Sequence, residues 1–180
     1  GWPAPVDDRT AVAPSPVRLA PVDEVERSAR QLLLQQRRDQ GGVVTRQQAL
    51  LGGWTPAQVR ARLRSGAWVA LERGVYGSGA TLASADVHQQ HALRVAARAL
   101  ATGGDAVACR RSAALVLGLP LLGGAPDEPQ MVRRPRRADD TASAPTLQVA
   151  PLHDDDVVAW RGVRCTAPAR LVCDTARAHG

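Results

Sequence analysis

Residues 42–77 read GVVTRQQALLGGWTPAQVRARLRSGAWVALERGVYG, and the fold turns on this stretch. Thr45-Arg46-Gln47-Gln48 has the form of a capping box, in which the threonine hydroxyl and the glutamine amide satisfy backbone N–H groups left over at a helix start. The helix it opens is short, because Gly52-Gly53 follow at once. Thr55-Pro56-Ala57-Gln58 repeats the device, with Pro56 at the first helical position, where its missing N–H costs nothing. This second helix runs to about Ser65 and is closed by Gly66. Residues 68–71 and 74–77 then read as short strands around a turn at Glu72-Arg73. Two capped helices, a tight turn and a two-stranded ribbon are the plan of a winged helix-turn-helix, whose usual work is docking a helix into a DNA major groove.

The flanks are read from this centre. Upstream, residues 1–21 hold Pro3, Pro5, Pro14, Pro16 and Pro21, which forbid helix and ladder alike and predict a disordered leader. Residues 23–40 predict a helix, with Val25, Ala29, Leu32 and Leu33 on one face, acids in its first turn and Arg37 and Arg38 in its last. Downstream, residues 81–85 read as a linker and residues 86–101 as a helix. A buried strand is expected at 106–108, a short helix at 111–117, and strands at 131–132, 147–152 and 162–165. Thr166 is expected to cap a last helix through Ala178, with Pro168 near its start. The fold class is therefore α+β: a winged helix-turn-helix over residues 22–80, then a small mixed α/β domain over residues 86–180. No internal repeat interrupts this plan.

The 180 residues suffice for one domain or two small ones. With 23 basic residues against 17 acidic, the chain carries +6 and a pI near 10.7, a balance that leans toward a polyanionic partner. Every basic residue is arginine, and Lys, Asn, Ile and Phe are absent, so part of that lean reflects a GC-rich coding bias. Placement matters more: between residues 41 and 79 five arginines face the single acid Glu72. Cys109, Cys165 and Cys173 show no paired or zinc-binding spacing, and a reducing cytoplasm is the simplest setting. No apolar run approaches the ~20 residues needed to span a bilayer, and no secretory signal pattern is present. The chain lacks an initiator Met and is expected to be processed or a fragment.

On a helical wheel Val59 and Leu63 share one face of the second capped helix and point to the core. Arg60 and Arg64 flank that stripe on one side and Arg62 on the other, while Gln58, Ala61 and Ser65 lie outward. A helix in a major groove needs small or hydrogen-bonding residues toward base edges and cations toward the flanking phosphates. Thr55, at its start, joins that surface. Arg73, at the expected hairpin tip, is placed for a phosphate or the minor groove. Thr45 and Arg46, at the start of the preceding helix, are placed for the backbone. Trp54, Trp68 and Tyr76 flank apolar strands and are read as packing residues.

These residues carry a family resemblance. The run at 42–77 resembles the N-terminal domain of the AbiEi-family antitoxins of type IV toxin–antitoxin systems. The pieces ACRRSAALVLGLP and GVRCTAPARLVCDTA resemble the segments that follow in such proteins, so the likeness spans about residues 27–180. It implies a winged helix that binds promoter DNA and represses an operon also encoding a nucleotidyltransferase-like toxin, the cognate partner. It also implies that Thr55, Gln58, Arg60, Arg62 and Arg64 sit on the recognition helix and Arg73 on the wing. Many relatives carry a further domain like the very-short-patch-repair endonucleases, and this chain stops where such a domain would begin.

Other constellations are weaker. His88 and His91 stand one helical turn apart, a spacing that can bind metal, but no third ligand is near in sequence and two exposed histidines are expected. Arg133-Arg134-Pro135-Arg136-Arg137 is a basic run open to DNA, RNA or an acidic partner, or simply to solvent. Asp139-Asp140 and Asp154-Asp155-Asp156 could hold magnesium, yet the chain has no lysine of the kind restriction-type nucleases use and no Gly-Ser motif ahead of paired aspartates. Arg170 and Asp174 form an i,i+4 pair. No metal, cofactor or catalytic constellation is expected, and the chain is read as a non-enzyme. The reading is a cytoplasmic transcriptional regulator acting on double-stranded DNA at its own operator, with pairing of two copies on repeated sites plausible. Its rivals are an interaction adaptor and the targeting portion of a nuclease extending beyond residue 180.

Overall fold

Capping decides where the helices begin. The computed structural model describes residues 22–121, 124–141 and 146–179, and the proline-rich leader expected at residues 1–21 lies outside them. Among the described residues the chain is a mixed α+β protein with seven α-helices and two sheets. The first is α1 (Val22–Asp39), followed by strand β1 (Val43–Thr45). Thr45 then caps α2 (Arg46–Leu51), its hydroxyl accepting from Gln48 N at 3.1 Å while Gln48 Oε1 accepts from Thr45 N at 2.9 Å. Thr55 and Gln58 exchange the same pair of bonds, 3.2 and 2.8 Å, at the head of α3 (Pro56–Arg64).

Strands β2 (Trp68–Glu72) and β3 (Val75–Ser78) complete a three-stranded antiparallel sheet in the order β1-β3-β2. Their turn falls at Arg73-Gly74, one residue later than expected, because Gly74 takes the left-handed conformation (φ 75°) that the reversal needs. The three-residue β1 was not expected as a strand; it pairs Val44 with Tyr76, far along the chain. Adjacent strand residues face opposite ways. Val44 and Tyr76 join Leu33, Ala49 and Val59 under the first three helices, whereas Val43 and Val75 join a second core on the other face. The sheet is thus buried on both sides.

What covers the second face is α5 (Val87–Ala101), capped by Asp86 with Gln89. Ahead of it, the linker expected at 81–85 is instead mostly a helical turn, α4 (Gly79–Ser84), which the Ser78 hydroxyl caps by accepting from Thr81 N at 3.3 Å. Leu93, Val95, Ala96 and Ala97 of α5 are buried, and the helix packs on the first sheet and on the second. The second sheet contains β4 (Val107–Ala108), β5 (Met131–Arg133), β6 (Leu147–Val149), β7 (Val157–Trp160) and β8 (Val163–Thr166), in the order β6-β5-β4-β8-β7. It is mixed, parallel at β4/β8 and β5/β6 and antiparallel elsewhere. Strand β7 was not expected, and β6 ends three residues short of the expected strand. Helices α6 (Arg110–Val116) and α7 (Pro168–His179) complete the chain.

Thr166 does not cap α7: it is the last residue of β8, fully buried, and its hydroxyl has no hydrogen-bond partner. The turn of the β7–β8 hairpin meets the α1–β1 junction. A Cβ on Gly162 would stand 2.3 Å from the Asp39 carbonyl oxygen, and one on Gly41 would stand 2.7 Å from Val163. None of the described helices is long and apolar enough to cross a membrane.

Candidate nucleic-acid interface

Helix α3 shows where each candidate side chain stands. Val59 is buried, and Leu63 is half-buried against the cluster of Leu33, Val44 and Tyr76, which fixes the helix phase. Gln58, Arg60, Ala61 and Arg64 are exposed on the remaining faces. Not all of the expected groups are free. The hydroxyls of Thr45 and Thr55 accept the cap bonds, and Gln58 keeps only its amide donors. The Ser65 hydroxyl donates to the Arg62 carbonyl at 3.1 Å and accepts from Ala67 N at 3.4 Å, so it closes the helix end.

Arg62 is also committed. Its guanidinium lies 4.1 Å from the ring centroid of Trp54 and 5.9 Å from that of Trp68, a double cation–π contact. Trp54 and Trp68 are 5.2 Å apart, and Trp68 stacks on Tyr76 at 5.9 Å, so the three aromatics form one packed ladder. Arg60 and Arg64 are left as the cations of the outward surface.

A second pair of cations is assembled by the backbone. Arg46 N donates to the Gly74 carbonyl at 2.7 Å, which sets the exposed Arg46 at the start of α2 beside the exposed Arg73 of the β2–β3 turn. Among the described residues none of Arg46, Arg60, Arg64 and Arg73 forms an ion pair. The one acid of the region, Glu72, is held away by Arg98 of α5, which donates to it and, at 3.1 Å, to Glu128. That ion pair was not legible beforehand, and it leaves the arginine surface without a competing carboxylate.

Part of the remaining charge is paired within the second sheet, its loops and α7. Arg133 grips Asp140 with two guanidinium nitrogens, and Asp140 also accepts from Arg136 N; these bonds hold its carboxyl well below the usual carboxylate range. Arg134 pairs with Asp154, Arg136 with Asp105 at 2.7 Å, and Arg137 with Asp139 at 3.6 Å. Each arginine of the run at 133–137 thus has an acid partner, while Arg134, Arg136 and Arg137 stay exposed. Asp156 takes a bond from Arg170, which also holds Asp174. Asp139, Asp140, Asp154 and Asp156 are therefore arginine partners, and among the described residues no three His, Cys, Asp or Glu side chains gather as metal ligands.

His91 departs from expectation. His88 is exposed, but His91 is buried, with Nε2 and the Ser112 hydroxyl 2.8 Å apart. Ser112 also accepts from Gln130 N at 2.9 Å. Burial, and then the charge of Arg94, push the imidazole pKa down, so it is the neutral ring that the core holds.

No family model matches the chain, and no curated protein matches it.

Proposed function

We propose that the chain is a DNA-binding transcriptional regulator of the antitoxin type, built as an N-terminal winged helix-turn-helix on an α/β unit. Helix α3 enters the major groove with Ala61 and the Gln58 amide toward base edges and Arg60 and Arg64 toward phosphates. Arg46 and the wing residue Arg73 grip the flanking backbone. The observation that carries this reading is the set of four exposed arginines that form no ion pair among the described residues, with Glu72 drawn off to Arg98. The five-residue β2 that leads to the wing spans about 17 Å, longer than the ~12 Å groove is wide. The antitoxin assignment rests on the sequence resemblance, and the α/β unit is then the part that meets a nucleotidyltransferase-like toxin. The site of action is the cytoplasm.

Fluorescence anisotropy with the DNA upstream of its own gene tests the proposal. Affinity should fall with salt at a slope of about 0.9 per phosphate neutralised. Arg60→Ala and Arg64→Ala should each weaken binding and flatten that slope while leaving the melting temperature unchanged. Binding that is absent at low salt, or indifferent to both substitutions, would refute the proposal.

A further inference from the structure

Between α1 and the aromatic ladder lies a cavity of about 280 Å³, close to the lower end of the size that small-ligand sites occupy. The aromatic Trp54, Trp68 and Tyr76, the apolar Leu33 and Val44, and the cations Arg30, Arg37 and Arg62 line it. No acid lines it among the described residues. Arg37 is half-buried; its Nε donates to the Gly42 carbonyl at 2.9 Å, and it has no carboxylate partner among the described residues. Arg98, Arg133 and Arg170, by contrast, each hold a carboxylate.

We propose that this cavity binds a small planar aromatic carboxylate. The ring would lie against the indoles, which offer flat apolar surface, and the carboxylate would meet Arg37 and Arg62, whose planar forks suit it. The charge complement is specific, since a neutral aromatic would leave the Arg37 cation as poorly compensated as before. The volume suits one fused ring system with its acid group. Burial already disfavours the bare Arg37 cation, and an anion beside it would relieve that cost.

Calorimetric titration of the full chain with naphthoate should give saturable binding of one molecule per chain, and naphthalene methanol should bind at least about tenfold more weakly for want of the charge-assisted contacts. Arg62→Gln and Arg37→Gln should lower naphthoate affinity by about the same factor. In wild-type protein, where folding is not in question, naphthoate should shift the indole N–H resonances of Trp54 and Trp68 and leave that of Trp160 unmoved. No saturable binding, equal affinity for the neutral analogue, or shifts confined to Trp160 would each overturn the proposal.

Discussion

Individual side chains set local thresholds that can be measured. Thr55→Ala removes a formed cap bond and should cost about 1 kcal/mol in denaturant unfolding. Arg62→Ala should lower stability by about 0.5–1 kcal/mol, because its guanidinium covers Trp54. That effect separates it from Arg60 and Arg64, which make no ring contact among the described residues. His91 predicts a pH response. Its folded pKa is depressed by burial, so the unfolded chain binds the proton more readily. Stability from the neutral ring is complete above the ordinary imidazole value of about 6.5 and is lost as pH falls below it. Melting temperature should therefore drop between pH 7 and pH 5, and His91→Gln should reduce that drop; a parallel fall in the variant would assign it to other groups.

Elements show why some of the molecule could be read in advance and some could not. Met131 of β5 is buried in the second sheet, and Met131→Ala should cost about 2–5 kcal/mol in the same assay. Helices α2, α3 and α5 were legible because their start signals are local: threonine or aspartate, then glutamine three residues on. Strand β1 was not, because three residues carry no period and its partner Tyr76 is remote in sequence. Helix α4 is written in Gly, Ala, Thr, Leu and Ser, which read equally as a loop, and β7 hides behind three aspartates. The candidate surface was legible as a list of arginines, not as a set of roles. Only spatial neighbours reveal that Arg62 serves the indoles, that Arg98 removes Glu72, and that Arg134 and Arg136 are paired with Asp154 and Asp105. The burial of His91 likewise depends on Ser112, twenty-one residues away.

The molecule as a whole is tied together by α5 and by the Gly162 contact. A fragment ending at residue 85 would lose α5 and expose Val43, Val75 and Leu71, so it should show little amide dispersion in NMR. Gly162→Ala would force a side chain into left-handed backbone (φ 78°) against the Asp39 carbonyl, and should cost at least about 2 kcal/mol by thermal denaturation. The 180-residue chain should unfold in one cooperative transition seen identically by circular dichroism and fluorescence, since one buried cluster runs through both sheets. That same threading removes any pivot between the halves. A protein built so cannot pass a message by swinging one lobe against the other. Whatever engages the far sheet must reach the Thr55-capped helix as a slight slide of one shared rod, with the packing around it acting as the relay.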